Sequence, residues 1–264
     1  VRKEVKAGYI TGLTATPQRR DGHHPILQMQ MGPVRYAIEA KEAAHDRSVE
    51  HRLIVRYTDF RLTTDNPKPP IQDVYRELVA DERRNQLIIN DVVQALEQGR
   101  SPLVLTERKD HLHALAAKLE GLARNLVVLQ GGLTSKKRRE AMQRLADIPD
   151  DQERLVLATG RFAGEGFDDS RLDTLFLALP VSWKGTLIQY AGRLHRKHQG
   201  KTDVLIFDFV DRNVGMLGRM FDKRKRGYRN MGYRVGDFDT TEPPDDDYVI
   251  EYDPAALNEV DDFA

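Results

Sequence analysis

Leu155-Val156-Leu157-Ala158-Thr159-Gly160-Arg161-Phe162-Ala163-Gly164-Glu165-Gly166-Phe167-Asp168 is the stretch from which the fold can be read. Its uninterrupted apolar start reads as a strand buried on both faces, as in a parallel sheet covered by helices. The glycine-punctuated run that follows ends on a carboxylate. Such a loop offers backbone N–H groups at the edge where parallel sheets bind ligands. Outward from here the same alternation recurs. Leu103-Val104-Leu105, Leu126-Val127-Val128-Leu129, Leu175-Phe176-Leu177-Ala178-Leu179 and Val204-Leu205-Ile206-Phe207 are further short apolar runs. Helical stripes lie between them. Leu112, Leu115, Ala116 and Leu119 end before Gly121, Ala141, Met142 and Leu145 follow a capping Ser135, and a third helix is expected from Lys184 to His198. Upstream, Ile88, Val92 and Leu96 recur at four-residue spacing within a helical stretch running from Ile71 to Gln98 and ending before Gly99. Residues 50–60 read as a strand, Asn66-Pro67-Lys68-Pro69-Pro70 as a linker, and residues 7–16 as a short strand closed by Pro17. Strands alternating with helices imply right-handed crossovers and an α/β fold, a parallel sheet with helices on both faces.

The composition narrows the function classes. The 264 residues include no cysteine, which removes disulfides, thiolate metal sites and cysteine nucleophiles. No apolar run approaches the roughly 18 residues of a membrane helix, and no signal-peptide core follows Val1. No membrane partner is therefore expected, and a reducing cytoplasm is the expected location. The formal charge of zero averages two unlike parts. Residues 236–264 hold eleven Asp or Glu and no Lys or Arg, so 41 basic residues face 30 acidic ones over residues 1–235. A basic body suits a polyanionic partner.

The chemistry concentrates in Gln189-Tyr190-Ala191-Gly192-Arg193-Leu194-His195-Arg196. At about 100° per residue, Gln189, Arg193 and Arg196 share a narrow helical face, while Leu187, Ile188, Ala191 and Leu194 turn toward the sheet. Two guanidinium groups on one face present forked donors to phosphate oxygens. A solvated basic face is the plain alternative for an isolated pair; the glycine loop at 159–168 shifts the balance toward a phosphate clamp.

These segments together resemble the C-terminal RecA-like domain of superfamily 2 helicases, the group of DEAD/DEAH-box and restriction-subunit motors. Gly12-Leu13-Thr14-Ala15-Thr16-Pro17 resembles motif III, and Leu103 to Leu119, with Thr106 and Arg108, resembles motif IV. Gln130-Gly131-Gly132 and the basic helix through Arg138 resemble the segment that touches the nucleic-acid backbone. Thr159 to Asp168 resembles motif V and Gln189 to Arg196 motif VI. The resemblance implies three regions: a remnant of the first lobe over 1–32, the second lobe over 33–230, and an acidic tail over 231–264. It also implies roles. Arg193 and Arg196 would be arginine fingers, with Gln189 beside them sensing the γ-phosphate. Gly164, Gly166 and Asp168 would face the nucleotide. Thr106, Arg108, Gly131, Gly132 and Thr159 would hold the nucleic-acid backbone. ATP and Mg2+ would be held mainly by a preceding RecA-like lobe of the same polypeptide, and this portion alone would be inactive. Glu165, where DEAD-box proteins usually carry arginine, points to DNA more than RNA and to restriction or repair complexes. The alternative is a non-catalytic nucleic-acid-binding or protein-interaction module derived from such a motor.

Several segments imitate other sites. Gly200-Lys201-Thr202 mimics the end of a phosphate-binding loop but precedes a strand, and Asp81-Glu82-Arg83-Arg84 mimics a DEAD box within a helical stretch. The histidines show no metal-ligand spacing, and His111 and His113, two apart, are expected at the surface. No metal site is expected. The run from Lys223 to Arg229 reads either as a solvated helix end or as a second phosphate contact.

Overall fold

A computed structural model describes residues 11–13, 29, 31–36, 49–64, 66, 68–160, 162, 169–181 and 184–235. Seven strands form one sheet: β1 Glu50–Tyr57, β2 Pro102–Thr106, β3 Leu126–Leu129, β4 Leu155–Thr159, β5 Thr174–Leu177, β6 Asp203–Val210 and β7 Arg234–Val235. The order is β3-β4-β2-β5-β6-β1-β7 and every pairing is parallel. The α/β parallel sheet expected from the apolar runs is what forms.

Six helices connect the strands among the described residues: α1 Ile71–Ala80, α2 Glu82–Glu97, α3 Lys109–Leu119, α4 Ser135–Ala146, α5 Lys184–Leu194 and α6 Gly215–Asn230. The pleat sorts the core. Leu103 and Leu105 of β2 pack on the face holding Leu145, Leu187, Ala191 and Tyr228. Val104, between them, packs with Ile88, Val92, Leu112 and Leu115 on the other face. Thus α4, α5 and α6 cover one side and α2 and α3 the other. A fully buried Leu of this kind stabilises by about 1.5–3 kcal/mol relative to exposure. A third cluster joins Val74 and Leu78 of α1 to Leu217 and Met220 of α6 near the carboxyl ends of β5 and β6.

The strand expected over residues 50–60 ends at Tyr57, the run ending at Leu179 is a strand only to Leu177, and three helix boundaries differ from the sequence reading. The helical stretch at 71–98 is two helices, because Asp81 is extended and its side chain accepts the Arg84 N–H as the N-cap of α2. That places Asp81-Glu82-Arg83-Arg84 at a helix start rather than at the end of a strand. Thr134 rather than Ser135 caps α4, accepting the Lys137 N–H. The helix expected to reach His198 stops at Leu194.

Candidate nucleic-acid and nucleotide interface

The carboxyl ends of β2, β3 and β4 lie side by side, with Thr106 paired in register to Thr159 and Leu129 to Ala158. Both threonines are buried, and their hydroxyls face inward. Thr159 Oγ1 accepts the Gly131 N–H at 2.9 Å and so ties the loop after β3 to the end of β4. Thr106 belongs to a relay. Asn85 Nδ2 donates to the Val79 carbonyl at 2.8 Å, which turns Asn85 Oδ1 toward His111 Nε2 at 3.0 Å. His111 Nε2 then carries the proton, and Nδ1 accepts from the Thr106 hydroxyl at 3.1 Å. The same hydroxyl oxygen accepts the Arg108 N–H at 3.3 Å. Sequence reasoning placed His111 at the surface; it is fully buried, because it stacks one turn before Leu115 and Leu119 on the inner face of α3. Burial, with the Arg84 charge adding to it, drives the His111 pKa down to about 3, so the ring is neutral.

Beyond these anchors the surface opens. Gly132 has φ +84°, the left-handed region that favours glycine, and it is exposed at the head of α4. Lys136, Lys137 and Arg139 follow it, exposed, on the first turn and a half of α4. Arg138 lies over the Phe162 ring at 4.9 Å. Arg108 is half-buried and paired to Asp110 at 2.5 Å. Of the five residues expected at a nucleic-acid strand, Gly132 and Arg108 therefore reach solvent. Gly131 is half-buried, while the side chains of Thr106 and Thr159 hold the loops from below.

Helix α5 sits beside this edge. Leu187, Ala191 and Leu194 are buried, Gln189 is exposed and Arg193 is half-exposed, as the helical period requires. A side chain at Gly192 would meet open space, so the face has room for a ligand. Arg196 is exposed on the turn after the helix and no longer follows the helical face. His195 lies between the two arginines, with its ring 4.6 Å from His51 and its Nε2 2.9 Å from the Tyr233 hydroxyl. Lys201 closes the helix end. Its ammonium donates to the carbonyls of Leu194 at 3.1 Å, Arg196 at 3.0 Å, Ser170 at 2.7 Å and Leu172 at 2.6 Å. The apparent phosphate-loop lysine is thus a helix-terminating strut. Within α5, Tyr190 donates to Glu107 Oε1 at 2.7 Å, a contact the sequence reading did not anticipate.

The neighbouring stretch of the same edge is closed. Asp208 of β6 receives Arg224 Nε at 2.7 Å, Arg224 Nη2 at 2.8 Å and the Tyr228 hydroxyl at 2.7 Å. Asp211 receives Arg84 Nε at 2.9 Å and the Thr58 hydroxyl at 2.5 Å. Arg224, one of the candidates for a second phosphate contact, is therefore an internal counter-ion. Burial alone would lower its pKa, but Asp208 beside it raises it. Gly164, Gly166, Asp168, most of the motif III segment and residues 236–264 of the expected acidic tail lie outside the described residues. At the expected start of that tail, by contrast, Met231 and Tyr233 are buried in the core and Arg234–Val235 form β7. Among the described residues no cluster of His, Asp or Glu suits a metal ion, and no helix is long and apolar enough to cross a membrane.

Comparison with known proteins bears on this edge directly, because the match runs from the relay residue Asn85 past Arg196. The family described as "Helicase conserved C-terminal domain" matches residues 85–198. Over those residues the chain is similar to helicase C-terminal domains. A protein of Acanthamoeba polyphaga mimivirus named as a candidate ATP-dependent RNA helicase, L396, is 22% identical over 98% of this chain and 49% of its own length. A candidate helicase of Invertebrate iridescent virus 6, 161L, is 26% identical over 86% of this chain and 51% of its own. The chain thus spans about half the length of these relatives. Among solved structures, T4 UvsW shares the fold with a TM-score of 0.56 at 19% identity, covering 72% of this chain and 41% of that one. The matched helicase segment includes β2 through α5, hence the open part of the edge and the motif VI helix.

Proposed function

We propose that this chain supplies the second RecA-like lobe of an ATP-dependent nucleic-acid motor, with DNA as the polymer tracked. ATP and Mg2+ would be held mainly by a preceding lobe of the same polypeptide, and Arg193 and Arg196 would reach across to the γ-phosphate with Gln189 beside them. The strand would cross Gly131, Gly132, Arg108 and the head of α4, while Gly164, Gly166 and Asp168 would face the nucleotide. The observation that carries this reading is α5 itself. Its apolar side is buried in the sheet while Gln189 and Arg193 face outward beside an open, glycine-lined strand edge. Glu165, which departs from the DEAD-box pattern, supports DNA and a restriction or repair setting.

Arginine fingers act on charge that develops in the transition state, so their removal lowers turnover far more than nucleotide affinity. In the full-length protein, Arg193→Ala and Arg196→Ala are each expected to lower kcat for ATP by about 10³-fold or more. Turnover near normal in both variants contradicts the proposal. Stimulation by oligo(U) but not by oligo(dT) would reassign the polymer to RNA.

A further inference from the structure

We infer that the hydrogen bond from Tyr190 to Glu107, seated on Gly160, couples the strand-binding ends of β2 and β4 to the arginine-bearing helix α5. The inference rests on the motor reading above and assigns Tyr190 and Glu107 as positioning residues, which touch neither strand nor nucleotide.

Three residues from three elements meet at one point. Glu107 is the first residue after β2 and lies between Thr106 and Arg108. Gly160 is the first residue after β4 and follows Thr159, the anchor of Gly131. Tyr190 lies on α5 between Gln189 and Arg193. A Cβ at Gly160 would stand 1.9 Å from the Tyr190 hydroxyl oxygen and 2.2 Å from Glu107 Oε1. The contact therefore exists only because residue 160 has no side chain, and the end of β4 forms the floor on which the pair rests.

The physical character of the contact differs from the rest of the α5 packing. Leu187, Ala191 and Leu194 meet the sheet through apolar surface, which is non-directional and tolerates small sliding movements. A phenol donating to a carboxylate at 2.7 Å is directional and charge-assisted. Tyr190 is buried, and burial followed by the Glu107 charge pushes its pKa up, so the phenol stays a donor. Glu107 is exposed, so its carboxylate is held by this donor at the boundary between core and solvent. When a strand settles on Arg108 and the loop after β3, the ends of β2 and β4 carry Glu107 and Gly160 with them. Tyr190 follows, and α5 adjusts the aim of Arg193. The anchors Thr106–His111–Asn85 and Thr159–Gly131 keep those strand ends stiff enough to transmit the displacement.

The test uses the full-length protein with Tyr190→Phe, which keeps the ring and removes the donor, and Glu107→Gln, which keeps the shape and removes the charge. Oligo(dT) and oligo(U) binding, unstimulated ATP turnover, strand-stimulated turnover and the unfolding temperature are measured for each. The expected result is a loss of strand stimulation of about fivefold or more in both variants, with unstimulated turnover and oligonucleotide affinity within about twofold of the unaltered protein. Full stimulation in both variants overturns the coupling while leaving the motor reading intact. Parallel loss of stimulated and unstimulated turnover with a lowered unfolding temperature makes the pair a stability contact, and also overturns it. Failure of the unaltered protein to bind either oligonucleotide or to hydrolyse ATP contradicts the motor reading, and the inference falls with it.

Discussion

One sheet edge carries two neighbouring stretches built on opposite plans. At β6 and β1 the chain places Asp208 and Asp211 at or just past the strand end and covers them with Arg224 and Arg84, all four being buried. At β2, β3 and β4 the strands end on threonines and glycines, with neutral hydroxyl and imidazole groups beneath and cations outside. The first arrangement pairs its charges with one another inside the fold, away from solvent. The second anchors its loops through Thr159 and the Thr106–His111–Asn85 relay, which are neutral, and carries Lys136, Lys137 and Arg139 on its exposed surface. Charge placed inside serves the fold, and charge placed outside is available for phosphate.

The contrast breaks most sharply if the two sets of arginines are equivalent. Arg224→Ala leaves Asp208 buried without its main counter-ion, for which the expected cost is about 3–5 kcal/mol. Arg193→Ala, at the half-exposed site, is expected to change stability by no more than about 0.5 kcal/mol. Urea unfolding of the two variants decides it, and equal losses would erase the distinction between a closed and an open stretch.

A pH titration sharpens the comparison at the neutral relay. Folded His111 takes up a proton only near pH 3, whereas the unfolded residue does so near its ordinary value of 6.5. Between those values the unfolded state binds more protons, so falling pH favours unfolding. Stability is whole above about pH 6.5 and declines toward pH 3, with a slope from this residue of up to about 1.4 kcal/mol per pH unit. His111→Gln is expected to be less stable at pH 7 and flatter between pH 6.5 and 4.5. An equally steep decline in that variant would place the pH dependence elsewhere. A smaller effect is expected at Thr159→Val, which keeps the branched shape and strands the Gly131 N–H. The loss is about 1–2 kcal/mol, accompanied by weaker oligonucleotide binding. Unchanged binding would mean that the loop after β3 needs no anchor.

Six of the seven strands and most helices were legible because the buried faces of a parallel sheet require unbroken apolar runs, and runs as short as Leu155–Ala158 or Val204–Phe207 suit a strand better than a core helix. The outward face of α5 followed from helical period alone. What stayed hidden was the destination of individual charges. Arg84 and Arg224 sit in runs that look like their solvated neighbours, and only the folded sheet brings Asp211 and Asp208 to them. A signal was present in Asp208, a carboxylate inside an apolar strand, which calls for a buried cation. His111 was legible too, since it precedes Leu115 and Leu119 at four-residue spacing. The end of α5 at Leu194 was not, because it depends on Lys201 folding back onto the carbonyls of Leu194 and Arg196.

Amide hydrogen exchange with and without a saturating single-stranded oligonucleotide tests the central claim most directly. Slowed exchange is expected at residues 107–110 and 131–137, with residues 208–214 unchanged. Protection confined to residues 208–230, with none at 107–110 or 131–137, would contradict the account.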